Sequence, residues 1–459
     1  MSVITEENLK KYNKLHFIGV GGSGMFPLVQ ILHSQGHTIS GSDNNPGDTI
    51  DQERAMGVDV TIGHSAENLK DTQAVVYSAA IMQDNVELVA ARARGIPTIE
   101  RSEMLGLITR RYNNCVCVSG THGKTTTTSM LTHLMLSADL DPSAVIGGKL
   151  NAINGSGRAG KSETMVVEAC EYVDTFLHLS PDIALILNID ADHLEYFKTL
   201  DNIIASFRKF AQLATKSVIY NGDDQNSIKA VSGLDKKLIT YGNSETNDYY
   251  PRNVIWKNGA ECSFDLFYKG SKLTSLEMKV PGKHNILNAV AACAAAIEAG
   301  ADHRKLSEGL AAFTGVHRRF EILGKVNGVT IADDYAHHPA ELEVTLKAAK
   351  ELNYKKVWAV FQPFTFSRTA LLLDDFAKVL PIADKVVMSA IMGGREINTY
   401  GITTQQLADK IPGSVWFETF PEITEYVLKN AEEGDLVITL GCGDVYKCAK
   451  LMLGQDLPK

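Results

Sequence analysis

At 459 residues the chain exceeds what one hydrophobic core supports, so about three domains are expected. Apolar content of 44% and charged content of 22% fit an ordinary globular protein, while 45 basic against 54 acidic residues leave a net charge of −9. That balance argues against nucleic acid or a membrane surface as the general partner.

The first 14 residues are polar and charged, with no run resembling a signal peptide, and no apolar stretch is long enough to span a bilayer. Seven cysteines form an odd set, and Cys115 and Cys117 alternate with Val116 and Val118 inside an expected buried strand. A reduced, cytoplasmic protein is the simplest reading.

In chain order, strands are expected at 15–20, 38–42, 74–78 and 98–99, with helices between them at 26–35 and 86–94. Strands alternating with helices imply a parallel, doubly wound sheet. The polar piece 109–114 reads as a linker. A second unit follows, with buried strands at 164–167 and 183–189 and an alanine-rich helix at 285–299. Residues 217–280 are strand-like, but their pairing does not follow from the pattern. A third unit has strands at 329–332, 356–361, 385–389, 414–417 and 436–440. Helices are expected there at 341–352, 369–380, 404–410, 422–430 and 445–453, giving another open α/β sheet.

Two glycine-rich loops each close a strand and open a helix. In the first, Gly19, Gly21 and Gly24 fit the dinucleotide fingerprint around Gly22 and Ser23, and Asp43 ends the next strand. Bare N–H groups at a helix start suit a diphosphate that is held, although a tight turn with no ligand has the same pattern. The fingerprint does not separate NAD from a UDP-sugar. The second loop, Gly120-Thr121-His122-Gly123-Lys124-Thr125, is a shortened P-loop, with Val118 where the full pattern has its first glycine. Lys124 suits the β- and γ-phosphates of ATP, Thr125 suits Mg2+, and Thr126 adds a hydroxyl to the first helical turn. Glu168 ends a strand that a parallel sheet delivers beside this loop, and His193 follows another, so both are candidate metal ligands. The latter could equally cap a helix. His284, Asn285 and Asn288 open a helix where amides can read an adenine edge, or where Asn285 simply caps it. Arg318-Arg319 lies at a domain boundary, where an arginine can clamp a phosphate or form a salt bridge. Asp333-Asp334-Tyr335-Ala336-His337-His338-Pro339 ends the first strand of the third unit, at the edge where open α/β sheets bind ligands.

Together these strings, with Phe361-Gln362-Pro363, Ser367-Arg368-Thr369 and Gly441-Cys442-Gly443-Asp444-Val445, resemble the Mur ligases, ATP-dependent amide-forming enzymes of bacterial cell-wall synthesis. The resemblance covers essentially the whole chain. It implies an α/β protein of three domains: a Rossmann-like UDP-sugar domain at 1–108, a central P-loop ATP domain at 109–318 and a Rossmann-like amino-acid domain at 319–459. It implies that L-alanine is joined to the lactyl carboxylate of UDP-N-acetylmuramate through an acyl phosphate, with ATP and Mg2+, by a monomer or homodimer. Lys124 and Arg319 would then neutralise the transferring phosphoryl group, and Thr125, Glu168 and His193 would hold magnesium. His284, Asn285 and Asn288 would hold adenine, and Asp334 and Tyr335 would reach the ribose side. Gly21, Gly22, Ser23, Gly24, Ser42, Asp43 and Ser78 would hold the UDP portion, and His337 and Arg368 would orient alanine beside Tyr335.

Two positions depart from the family pattern: Cys170 replaces a carboxylate in Glu168-Ala169-Cys170-Glu171, and Phe364 stands where members usually carry histidine. Phe364 bears on which amino acid is taken. Rival readings are a sister ligase that recycles murein tripeptide, and a non-catalytic NAD-binding regulator, which leaves Lys124 and Glu168 unexplained.

Overall fold

Three sheets carry the architecture of the computed structural model, which describes residues 4–257, 261–394 and 396–455. The first contains β1 (Lys14–Ile18), β2 (Thr38–Asp43), β3 (Asp59–Ile62), β4 (Ala74–Tyr77) and β5 (Thr98–Glu100), in the order β3-β2-β1-β4-β5. All its pairings are parallel. The strands were expected except β3, a short strand in which only Val60 is buried although Val58-Asp59-Val60-Thr61-Ile62 alternates apolar and polar residues. The helix Arg101–Thr109 was also missed.

The second sheet has ten strands: β6 (Asn114–Ser119), β7 (Ser143–Leu150), β8 (Gly155–Arg158), β9 (Thr164–Glu168), β10 (Ile183–Ile186), β11 (Ser217–Asn221), β12 (Lys237–Tyr241), β13 (Tyr249–Lys257), β14 (Glu261–Tyr268) and β15 (Ser271–Met278). Their order is β15-β14-β13-β12-β11-β10-β6-β9-β7-β8, which places β6 between β10 and β9, parallel to both. The strand-like stretch with unresolved pairing thus extends this sheet.

The third sheet contains β16 (Glu321–Val326), β17 (Val329–Asp334), β18 (Val357–Phe361), β19 (Lys385–Ser389), β20 (Val415–Phe417) and β21 (Leu436–Leu440), in the order β16-β17-β21-β18-β19-β20. It is parallel except for β16, an unanticipated antiparallel edge strand whose register shifts between Ile322 and Gly324. The helix expected at 369–380 breaks at Leu372 into Phe366–Leu371 and Leu373–Val379.

The chain divides into two compact units: Met1–Val254 with Phe264–Glu277 and Leu287–Phe313, and Ile255–Ser263 with Met278–Ile286 and Thr314–Lys459. Within the first unit, a continuous core runs from Phe17 and Leu28 through Met104 to Met165 and Phe207. Close approach there needs small residues: a methyl group at Gly157 of β8 would lie 2.6 Å from Cβ of Pro27. The described cysteines are all free thiols. No helix among the described residues is long and apolar enough to cross a membrane.

One buried acid in this unit is destabilising. Glu53, on the helix Asp48–Ala55, is fully buried and neither carboxyl oxygen has a hydrogen bond. Burial, with the charge of Asp43 adding to it, pushes Glu53 up to about 8. The unfolded chain releases this proton near 4.5, so stability is lost as pH rises from there to about 8. Glu53→Gln should match the parent near pH 4.5 and exceed it by about 4 kcal/mol at pH 8. Urea unfolding at the two pH values reads the difference, and a pH-independent gap would contradict the assignment.

Candidate active site

The first loop begins where β1 runs out at Ile18, with Gly19 at φ +78°. The N–H groups of Gly19 and Val20 both donate to the carbonyl of Ser42, at 2.8 and 3.0 Å. Gly21 donates to Asp43 Oδ2 at 3.1 Å, so the acid at the end of β2 closes onto the turn. Gly22 donates to Gly19 (3.2 Å) and accepts from Met25 (2.8 Å), leading into the helix Phe26–Ser34. Ser78 packs against the turn: a methyl on Gly19 would lie 3.3 Å from its Cβ. The carbonyl of Ser23 accepts from Ser156 at 3.3 Å.

Ser42 supports the turn from behind. It is fully buried, and its hydroxyl donates to Glu87 Oε2 at 2.5 Å and lies 3.0 Å from His64 Nδ1. Asn68 donates to the other Glu87 oxygen at 2.5 Å. Burial alone would raise Glu87, but hydrogen bonding from His16, Ser42 and Asn68 outweighs it and holds the carboxyl at about 2. What Ser42 presents to the turn is its carbonyl. Arg101 was not anticipated: a methyl on Gly24 would lie 3.4 Å from its Cδ and 3.6 Å from its Nε, which sets its side chain beside the first turn.

The second loop follows β6. Gly120 has φ +150° and Gly123 φ +84°, and neither tolerates a side chain. A methyl at Gly120 would lie 2.8 Å from Cβ of Leu187, and one at Gly123 would lie 2.8 Å from Asn288 Oδ1. The amide of Asn288 therefore abuts the loop. Asn188 shapes the loop on the other side: its Oδ1 accepts from His122 N (2.8 Å), its Nδ2 donates to His122 O (3.0 Å), and its carbonyl accepts from Thr121 N (3.0 Å). The Thr121 hydroxyl accepts from Asp190 N at 2.8 Å.

Lys124 is the first residue of the helix Lys124–Ser137. Its ammonium donates to Gly120 O (2.5 Å), Thr121 O (3.1 Å) and Glu171 Oε1 (2.9 Å). Burial would lower Lys124, but Glu171 foremost among its acidic neighbours holds it above its ordinary value. Thr125 donates to Glu168 Oε1 at 2.8 Å, and Gly147 N donates to Glu168 Oε2 at 2.6 Å. Thr126 is half-buried in the same turn. His193 has φ +52°; its ring lies against Tyr172 at 4.7 Å between centroids, with Nε2 3.8 Å from Asp192 Oδ2. Thr125 and Glu168 thus meet. Among the described residues, no group of three or more His, Cys, Asp or Glu side chains is placed to hold a metal ion.

Glu171 is the functional candidate that sequence reasoning passed over, although it lies inside the quoted acidic string. It is 2% exposed and is the sole carboxylate hydrogen-bonded to Lys124 among the described contacts. Glu171→Gln removes the charge opposite a buried ammonium, a change in the class that costs about 3–5 kcal/mol. Turnover is expected to fall at least about tenfold, together with a lower melting temperature. An unchanged kcat would show the pair to be dispensable.

The helix Lys283–Glu298 begins two residues before Asn285, which is therefore inside its first turn and not its cap. Asn285 Nδ2 donates to Pro281 O at 2.6 Å. His284 is exposed, packed over Gly282. Arg318 ties the end of β17 to the neighbouring loop, through Nε to Asp333 Oδ2 (2.8 Å) and Nη2 to Gly441 O (2.6 Å). Asp334 accepts from Phe320 N and Ala336 N, both at 2.7 Å, so both its oxygens serve backbone. Burial raises Asp334 to about 6 despite Arg319 and those two donors. Arg319 lies over the Tyr335 ring at 5.4 Å.

His337 Nδ1 is 3.0 Å from Tyr335 O, and His337 N donates to Glu341 Oε2 at 3.0 Å. Burial lowers His337; Glu341 opposes this and the Arg368 charge adds to it. Arg368 also lowers the Cys442 thiol, which burial raises to about 11. Tyr335, His337, Arg368 and Cys442 thus share the carboxyl edge of the third sheet. Phe364 faces Gly394, where an added methyl would lie 3.8 Å from its ring.

Residues 14–113 match the family model described as Mur ligase family, catalytic domain; 118–296 match the Mur ligase middle domain, and 318–443 the Mur ligase, glutamate ligase domain. A UDP-N-acetylmuramate–L-alanine ligase from Caldanaerobacter subterraneus subsp. tengcongensis is 43% identical over 457 residues, covering 98% of this chain and 99% of its own. The crystal structure of a UDP-N-acetylmuramate-alanine ligase from Thermotoga maritima superposes with a TM-score of 0.81 at 28% identity, over 96% of this chain and 98% of that one. A murein peptide ligase from Psychrobacter arcticus shares the fold, with a TM-score of 0.72 at 23% identity over 96% and 98% of the two chains. Matched along nearly its whole length by the three domain models, the chain belongs to the Mur ligase family.

Proposed function

We propose that this protein joins L-alanine to the lactyl carboxylate of UDP-N-acetylmuramate, converting ATP to ADP and phosphate, as a cytoplasmic step of peptidoglycan synthesis. The observation that carries the reading is the oxygen pair Thr125 and Glu168, 2.8 Å apart at the head of the Gly-Lys-Thr helix. The full-length identity of 43% to a ligase of that name supports it.

The first turn and Arg101 hold the UDP diphosphate. The lactyl carboxylate attacks the γ-phosphorus, the bond to the β-phosphate oxygen breaks, and an acyl phosphate and ADP result. The alanine amine then attacks the acyl carbon, and the tetrahedral intermediate collapses to amide and phosphate. Lys124 leaves its loop carbonyls for the phosphate oxygens and offsets their charge. Thr125 and Glu168, a hydroxyl and a carboxylate, are hard oxygen donors of the type magnesium takes beside nucleotide phosphates, and His193 is assigned to the same ion. Magnesium, when bound, neutralises phosphate charge and eases the departure of ADP. Arg319 is assigned to the transferring phosphoryl group, His284, Asn285 and Asn288 to adenine, and Asp334 and Tyr335 to the ribose side. In the His337 ring, Nδ1–H donates to the Tyr335 carbonyl, which leaves Nε2 as an acceptor for the incoming amine. Arg368 takes the amino acid's carboxylate.

Phosphate release is expected only when ATP, UDP-N-acetylmuramate and an amino acid are all present. A panel of alanine, glycine, serine and murein tripeptide identifies the acceptor, and release dependent on tripeptide alone would overturn the assignment. Arg368→Ala is expected to raise KM for alanine by about tenfold or more with a smaller change in kcat. An unchanged KM would remove Arg368 from that role.

A further inference from the structure

Two adjacent arginines, Arg318 and Arg319, stand just before the edge strand β16, and the structure uses them in opposite ways. The Arg318 guanidinium is engaged by the protein itself. Its Nε donates to Asp333 Oδ2 (2.8 Å) and its Nη2 to Gly441 O (2.6 Å), and Cζ lies 5.0 and 4.8 Å from the ring centroids of Tyr335 and Tyr446. Arg319 is half-buried, and its guanidinium makes no hydrogen bond or ion pair among the described residues. It rests over the Tyr335 ring, 5.4 Å from the centroid, with its N–H donors left for an oxyanion.

The backbone on both sides of Arg319 is strained. Arg318 has φ +58° and Phe320 φ +45°, left-handed values in residues that carry a Cβ. Such positions persist where surrounding contacts over-determine them, and they gather at working sites. Here Arg318 N–H donates to Glu321 Oε2 (2.9 Å), Phe320 N–H donates to Asp334 Oδ2 (2.7 Å), and Arg318 O accepts from Tyr335 N (2.7 Å). Arg319 N–H donates to Val316 O at 3.0 Å and closes the turn. Asp333 is buried, and its other oxygen accepts from Thr439 Oγ1 (2.5 Å) on the interior strand β21. The carboxylate that receives Arg318 is thus itself fixed to the sheet. Buried ion pairs add little net stability, so the use of this one is to be found in what it holds in place.

We propose that Arg318, braced by Asp333, is a positioning residue for phosphoryl transfer: it fixes the strained turn that presents Arg319 with its donors open. The inference rests on the assignment of Arg319 to the transferring phosphoryl group.

The test is steady-state phosphate release by the full chain with ATP, UDP-N-acetylmuramate and alanine. Arg318→Lys keeps the positive charge but loses the fork that reaches Asp333 and Gly441 together. It should lower kcat by about tenfold or more, because a small misplacement of a charge-stabilising group is felt in the transition state. KM for ATP and for alanine should stay within about twofold. Asp333→Asn, of the same size, should give the same split. Each change is then repeated on Arg319→Ala, whose residual turnover is read at raised enzyme concentration. There it should cost less than about twofold more, since its effect runs through a guanidinium already removed. A role confined to folding would lower kcat by the same factor on both backgrounds, or lower the folded fraction, read by thermal unfolding, with kcat per folded molecule unchanged. Either result overturns the proposal. Full activity of Arg319→Ala would overturn it too, by taking Arg319 out of phosphoryl transfer, while the ligase reading stands as long as phosphate release still requires all three substrates.

Discussion

Lys124→Ala is expected to lower turnover by about a thousandfold, leaving the affinity for UDP-N-acetylmuramate within about twofold. The lysine is the only ammonium at the second loop among the described contacts, where its donors lie on Gly120 O, Thr121 O and Glu171. As phosphoryl transfer proceeds, charge spreads over oxygens that a positioned cation stabilises better than water does. The first loop uses none of these groups: its turn is built from Ser42 O, Asp43 and backbone N–H. Steady-state phosphate release and calorimetry with the UDP-sugar, on the same preparation, separate the two effects. Parallel loss of both would mean that one loop serves both nucleotides.

Glu168→Ala carries the second large effect. Its carboxylate is shared between Thr125 Oγ1 and the N–H of Gly147, so its removal strips one hard donor and unseats the other. Turnover should fall about a hundredfold, and the magnesium concentration for half-maximal rate should rise by about tenfold or more. A magnesium titration of phosphate release reads both. A fall in rate with no change in magnesium dependence would assign Glu168 to holding Gly147 and Thr125 in place, and not to the metal.

Both loops were legible in the sequence because glycine, lysine and hydroxyl residues at fixed spacing between an apolar strand and a helix have few other uses. Glu168 was legible from its place at the end of an apolar strand, since parallel sheets deliver such residues to one edge. The supporting groups were not. Asn188, Glu171 and Arg101 reach the loops from elsewhere in the chain, and their partners are set by strand order, which a local pattern does not contain. Ser42 was placed at the right turn, but its burial under Glu87 and His64 depends on that same packing. The ribose role expected of Asp334 meets a carboxylate already engaged by Phe320 and Ala336, bonds that depend on how the Arg318–Phe320 segment folds back. At β16 the irregularity between Ile322 and Gly324 breaks the apolar alternation, so no strand period is visible in its sequence.

The clamp of Asn188 on the second loop has a thermodynamic corollary. Five hydrogen bonds among Asn188, Asp190 and Thr121-His122 hold the loop in its turn before any phosphate arrives. Nucleotide capture then carries little ordering entropy, so its enthalpy reaches the measured affinity largely undiminished. Loosening the clamp with Asn188→Ala returns that entropy to the association step, where it emerges as slower, more temperature-sensitive binding.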